Sequence, residues 1–111
     1  MPTAPITHDE IKNLADEIRD FLRDREMWSD TRIYFNGLCY DSETPEVLTG
    51  LDPADYTEYT GDILTMTFEG PLYEALNYGP WSVEEELQSI FSKYGLYFEL
   101  GNAWNLSAYL N

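Results

Sequence analysis

Residues 31–40 read TRIYFNGLCY, and this stretch decides the fold. Thr31–Phe35 alternates and is rich in β-formers, and Leu38-Cys39-Tyr40 resumes after Asn36-Gly37. A two-residue connection between paired strands favours a turn with positive φ at both central residues, which Asn-Gly tolerates at little steric cost. The stretch therefore predicts a β-hairpin. A second one is predicted near the C-terminus, where Leu96–Leu100 and Trp104–Leu110 flank Gly101-Asn102. Neighbouring strands joined by such short turns can only run antiparallel.

Outward from the hairpins, ILTMTFE at 63–69 reads as another strand. Leu64, Met66 and Phe68 share one face, and Ile63, Thr65 and Thr67 the other. The first helix is predicted from about His8 to Met27. Thr7 and Glu10 make a capping box, and Ile6 and Ile11 a hydrophobic staple. Its apolar stripe is Ile11, Leu14, Ile18, Phe21 and Leu22. Gly70-Pro71 opens a short helix, LYEALNY, that Gly79-Pro80 stops. Ser82 and Glu85 predict the cap of a third helix, with Val83, Leu87, Ile90, Phe91 and Tyr94 inward and Gly95 as terminator. Residues 41–62 lack periodicity, and Asp52-Pro53 predicts one capped helical turn there.

The order is α-β-β-loop-β-α-α-β-β. Two hairpins without βαβ alternation predict a single α+β domain over residues 1–111. Its antiparallel sheet has about five strands, with helices packed on one side. Ile18 and Phe21, and later Ile90 and Phe91, are expected on the sheet face of Leu64, Met66 and Phe68.

Charge narrows the function. The chain has 21 acids and 6 bases in 111 residues, a formal charge of −15. Residues 33–111 hold 13 acids and one base, Lys93. Such a surplus repels nucleic acid and anionic membranes and attracts basic surfaces. Aromatic content of 15% speaks for a folded core rather than an acidic tail. A lone Cys39 precludes an intrachain disulfide and suits a reducing cytosol. The N-terminus lacks a signal-peptide pattern, and no stretch approaches a membrane span. A cytoplasmic protein is expected.

Catalytic and cofactor signatures are missing. Neither GxxxxGK[ST] nor GxGxxG occurs, and the EF-hand pattern is absent. His8 falls in the first turn of a helix with no fixed partner, and reads as a surface residue. Cys39 reads as a buried, inert thiol, since few bases are present to lower its pKa. Glu84-Glu85-Glu86 suits a helix start, where the macrodipole favours acids. Asp52, Asp55 and Glu58 could share a helical face, yet Pro53 marks Asp52 as a cap. The reading is of no enzyme, no cofactor, no metal and no direct nucleic-acid contact.

The remaining signal is an acidic array with interleaved tyrosines: Asp41, Glu43, Glu46, Asp52, Asp55, Tyr56, Glu58, Tyr59 and Asp62, without a base. Carboxylates two residues apart on an extended chain lie ~6.6 Å apart, a spacing like that of successive phosphates. Such an array can occupy a basic nucleic-acid channel on a protein. The bland reading is a surface that only confers solubility.

The segments IYFNG, LTMTFEGPLYEALNYG and KYGLYFELGNAWNLSAY resemble small acidic proteins of bacterial mobile elements. In size and charge the chain is also similar to DNA-mimic inhibitors of the anti-restriction and anti-CRISPR type. That resemblance implies a non-enzymatic inhibitor whose partner is a basic, nucleic-acid-binding protein. The alternative is a small adaptor or oligomerising module that binds through an aromatic patch at Trp81, Trp104 or Tyr109. An enzyme with paired carboxylates is the third class.

Overall fold

A computed structural model describes residues 6–55 and 63–110. The chain runs α1 (His8–Asp24), β1 (Thr31–Phe35), β2 (Leu38–Asp41), β3 (Val47–Thr49), a 3-10 turn (Pro53–Asp55) and β4 (Leu64–Phe68). It continues through α2 (Pro71–Tyr78), α3 (Trp81–Ser92), β5 (Leu96–Asn102) and β6 (Asn105–Leu110). The strands form one sheet in the order β3-β2-β1-β4-β6-β5, with every neighbouring pair antiparallel. The fold is α+β, as expected. The sheet has six strands rather than about five, because Val47–Thr49 pairs with β2. Three residues with a Gly after them carry too little alternation to announce a strand.

Register separates the two sheet faces. Ile33, Phe35, Leu64, Met66, Phe68, Leu96, Phe98 and Leu106 join the apolar sides of the three helices in one core. Ile18 and Phe91 are fully buried in it, and Phe21 and Ile90 pack against it part-buried. The opposite face carries Arg32, Tyr34, Cys39, Asp41, Thr65, Thr67, Asn105 and Ser107, aligned across strands by the same register. No helix among the described residues is long and apolar enough to cross a membrane.

The signposts for α1 hold. Thr7 Oγ1 accepts from the Glu10 N–H at 3.1 Å, and Glu10 Oε1 accepts from the Thr7 N–H at 3.2 Å. The helix stops three residues earlier than expected. Glu26 takes φ 58, the Glu26 N–H donates to Arg23 O, and the Met27 N–H donates to Leu22 O at 2.7 Å. This is a Schellman ending with Glu where Gly is usual, so the stop was invisible in composition. α1 is then tied to its neighbours. The Tyr40 hydroxyl and Lys12 both donate to Asp16. Tyr94 Oη and Lys93 Nζ donate to Glu17 at 2.7 and 3.0 Å.

Two other expectations shift. α3 begins at Trp81 with Pro80 in the N-cap position, and no side chain caps it, so Ser82–Glu85 is not its capping box. Pro80 already has an extended φ/ψ, so the helix can start directly after it. The C-terminal turn is Ala103-Trp104, between paired Asn102 and Asn105. The ladder slips between Leu100 and Asn102. Gly101 therefore serves a bulge, where glycine is common. The Trp104 N–H donates to Asn102 Oδ1 at 2.9 Å and fixes the turn.

Candidate partner-binding surface

Six bases face 21 acids, and the structure uses nearly all the bases internally. Lys12 and Arg19 pair with Asp16, Arg25 with Glu86, Arg32 with Asp41, and Lys93 with Glu17. Only Arg23 forms no ion pair among the described residues. Those bonds absorb four carboxylates: Asp16, Glu17, Asp41 and Glu86. Among the described residues the other carboxylates have no cationic partner, and all but half-buried Glu84 are exposed. A carboxylate left in water and unpaired keeps its charge available to a partner.

The array singled out from the sequence divides. Asp41 is buried, at 7% exposure. It sits directly across the ladder from Arg32, whose Nε donates to Oδ2 at 2.8 Å. Oδ1 accepts from the Glu43 N–H at 2.9 Å. Its charge holds the β2 exit in place and is not presented outward. Glu43, Glu46, Asp52 and Asp55 are exposed. Asp52 Oδ1 accepts from the Ala54 N–H at 2.9 Å, so it caps the Pro53–Asp55 turn as expected, and the residue stays exposed. Tyr56, Glu58, Tyr59 and Asp62 lie outside the described residues.

The register assembles a second acidic feature. The start of β1, the ends of β2 and β4, and the turn before β6 meet at one end of the sheet. They enclose a cleft of about 360 Å³. Asp30, Glu43 and Glu69 stand at it, Tyr34 and Trp104 supply aromatic walls, and the Arg32–Asp41 pair lies inside. The Glu69 N–H donates to Asp30 O at 3.0 Å and the Phe68 N–H to Trp104 O at 2.8 Å, which fixes these rims together. Carboxylates beside aromatic faces suit a guanidinium or ammonium group. Asp30 and Glu69 were missed in sequence because they are far apart along the chain. The signal was positional: each abuts the end of a strand, and β1–β4 pairing brings those ends together. A second cleft, of about 290 Å³, lies between the β1–β2 turn and Leu51–Pro53.

The other candidates stay as surface or core. His8 is exposed in the first turn of α1. Cys39 is fully buried, and burial pushes its thiol up to about 11, so it stays protonated near neutrality. Among the described residues, no three His, Cys, Asp or Glu side chains group to hold a metal ion. Of the expected aromatic patch, Trp81 is 56% exposed, whereas Trp104 is half-buried in the acidic cleft; Tyr78, 75% exposed, was not foreseen. Tyr109 stacks on Tyr97 at 5.8 Å on the sheet's open face.

Compared with protein-family models, curated proteins and solved structures, the chain matches none of them.

Proposed function

We propose that this chain is a non-enzymatic, cytoplasmic binding protein that occupies a basic, nucleic-acid-binding surface on a protein partner. The observation that carries the reading is the separation of charge. The bases are confined to α1 and its C-cap, the first half of β1 and the C-cap of α3, and all but Arg23 are spent on internal pairs. The β2–β3 loop, the Pro53–Asp55 turn and the rim of the cleft carry exposed carboxylates with no base to offset them. Glu43, Glu46, Asp52 and Asp55, with Glu58 and Asp62 of the same stretch, stand in for backbone phosphates. Asp30 and Glu69 with Trp104 receive a basic side chain. An anionic protein seated in this way displaces the counterions and the nucleic acid that the partner would otherwise hold.

The test is competition. Heparin-binding bacterial proteins are passed over the immobilised chain, and retained proteins are challenged with duplex DNA and with salt. DNA and about 0.5 M salt should each release what is retained. Retention that neither reagent disturbs overturns the reading.

A second reading is supported by Tyr78 and Trp81, which project at the α2–α3 junction. An adaptor that binds through them retains its partner in high salt and loses it in Trp81→Ala.

A further inference from the structure

We infer that Asn36 is a self-modifying site, whose carboxamide the Gly37 backbone nitrogen converts through a succinimide to aspartate or isoaspartate, and that the first turn of α1 sets the rate by latching the amide. The inference is independent of the partner-binding reading. Asn36 is the one asparagine followed by glycine; Asn13, Asn77, Asn102 and Asn105 precede Leu, Tyr, Ala and Leu. Ring closure needs the nitrogen of the next residue to swing onto the side-chain carbon, and a following side chain obstructs that swing. Glycine has no Cβ to obstruct it. Gly37 is exposed in the β1–β2 turn, and a Cβ added there would meet nothing within 4 Å, so this side of the turn is open to water.

The reaction needs only water and base. The Gly37 N–H gives its proton to base, its nitrogen bonds to Cγ of Asn36, and the Cγ–Nδ2 bond breaks with loss of ammonia. Water then opens the ring. Attack at Cγ gives aspartate. Attack at the main-chain carbonyl of residue 36 gives isoaspartate, in which the chain runs through Cβ and Cγ and the turn is lengthened.

The folded chain places two restraints on this chemistry. Asn36 and Gly37 hold φ of 51 and 75 while Phe35 and Leu38 pair across them, so the Cα–C bond of Asn36 cannot turn toward ring closure until the end of the hairpin opens. Asn36 Nδ2 also donates to the His8 carbonyl at 2.9 Å, from 28 residues away in sequence. His8 is the first residue of α1, directly after the Thr7 cap. Fraying of that one turn releases the amide, and such local openings take less free energy than unfolding the core. The hydrolysis does not restore the amide. A carboxylate only accepts, so the product offers the His8 carbonyl no donor. It also brings a negative charge into the cleft of about 290 Å³ that residue 36 shares with Asp52.

The chain is incubated in mildly alkaline buffer, folded or in urea, and peptide mass spectrometry follows Asn36 against Asn77 and Asn102. In urea, Asn36 should convert well before both, with isoaspartate among its products, which only ring opening yields. In the folded chain it should convert at least about tenfold more slowly, as a site exposed only by opening does. Thr7→Ala, which removes the helix cap, should speed the folded reaction about fivefold. Glu10→Ala removes the other half of the capping box and decides the matter if Thr7→Ala unfolds. Tyr94→Phe weakens the fold away from the latch and should leave the folded rate unchanged. Circular dichroism establishes which variants are folded. A folded chain that converts as fast as the unfolded one, an unfolded Asn36 no faster than Asn77, conversion without isoaspartate, or folded cap variants no faster than Tyr94→Phe, overturns the inference.

Discussion

Asp41 and Glu43 are two residues apart in the same acidic run, yet only Glu43 presents its charge outward. The difference is set by register: Asp41 lies opposite Arg32 and accepts from it and from the Glu43 N–H. Asp41→Ala removes hydrogen bonds to charged groups in a buried position, which should cost about 1.5–3 kcal/mol in denaturant unfolding. A variant as stable as wild type would show that the pair adds nothing net. Glu26 carries the opposite imbalance. It holds φ 58 at the end of α1, where an L side chain is strained and a carboxylate faces the negative end of the helix dipole. Glu26→Gly should raise stability by about 1 kcal/mol, read as a higher denaturant midpoint. An unchanged midpoint would mean that the side chain makes a compensating contact. At this scale Cys39 and the Asp52 cap were legible, because local chemistry decides both. The burial of Asp41 was not, because it depends on what lies across the ladder.

Elements were legible where a local signal marks both ends. Thr7–Glu10 opened α1, and Asn36-Gly37, with φ of 51 and 75, turned β1 into β2 as expected. β3 and the Ala103-Trp104 turn were not, since pairing with a neighbour creates the first and a bulge shifts the second. Contacts between elements were also hidden, among them the link from α1 to the end of α3. The hydrogen bond from Tyr94, opposed by burial and helped by Lys93, holds the Glu17 carboxyl below its ordinary value of 4.5. Burial first, then Glu17, pushes the Tyr94 hydroxyl up to about 12. A depressed carboxyl stabilises the fold fully above its unfolded pKa and loses that contribution as pH falls through the folded one. A raised phenol stabilises below its unfolded pKa and loses it as pH rises through the folded one. The link therefore works between the ordinary carboxylate range and the ordinary tyrosine range. The melting temperature of Tyr94→Phe should lie below wild type at neutral pH, and the gap should narrow as pH falls through the range of Glu17. A gap that stays constant with pH would detach Tyr94 from an ionised Glu17.

Across the whole molecule, the charge imbalance was plain in composition, but its distribution was not. Which acids are spent on lysines and arginines depends on tertiary neighbours such as Arg25–Glu86 and Lys93–Glu17, which are distant in sequence. The proposed function rests on the carboxylates left over. Glu46, Asp52 and Asp55 are exposed and form no ion pair among the described residues, so their reversal leaves the core untouched. The most direct measurement is the affinity of a retained partner for wild type and for Glu46→Lys/Asp52→Lys/Asp55→Lys, each followed from low salt to about 0.5 M. The account predicts that log affinity of the wild type falls linearly and steeply with log salt, as for displaced phosphates. It also predicts that the triple variant, with native circular dichroism, fails to bind even at low salt. A folded triple variant that binds as tightly as wild type, with the same salt slope, would contradict it.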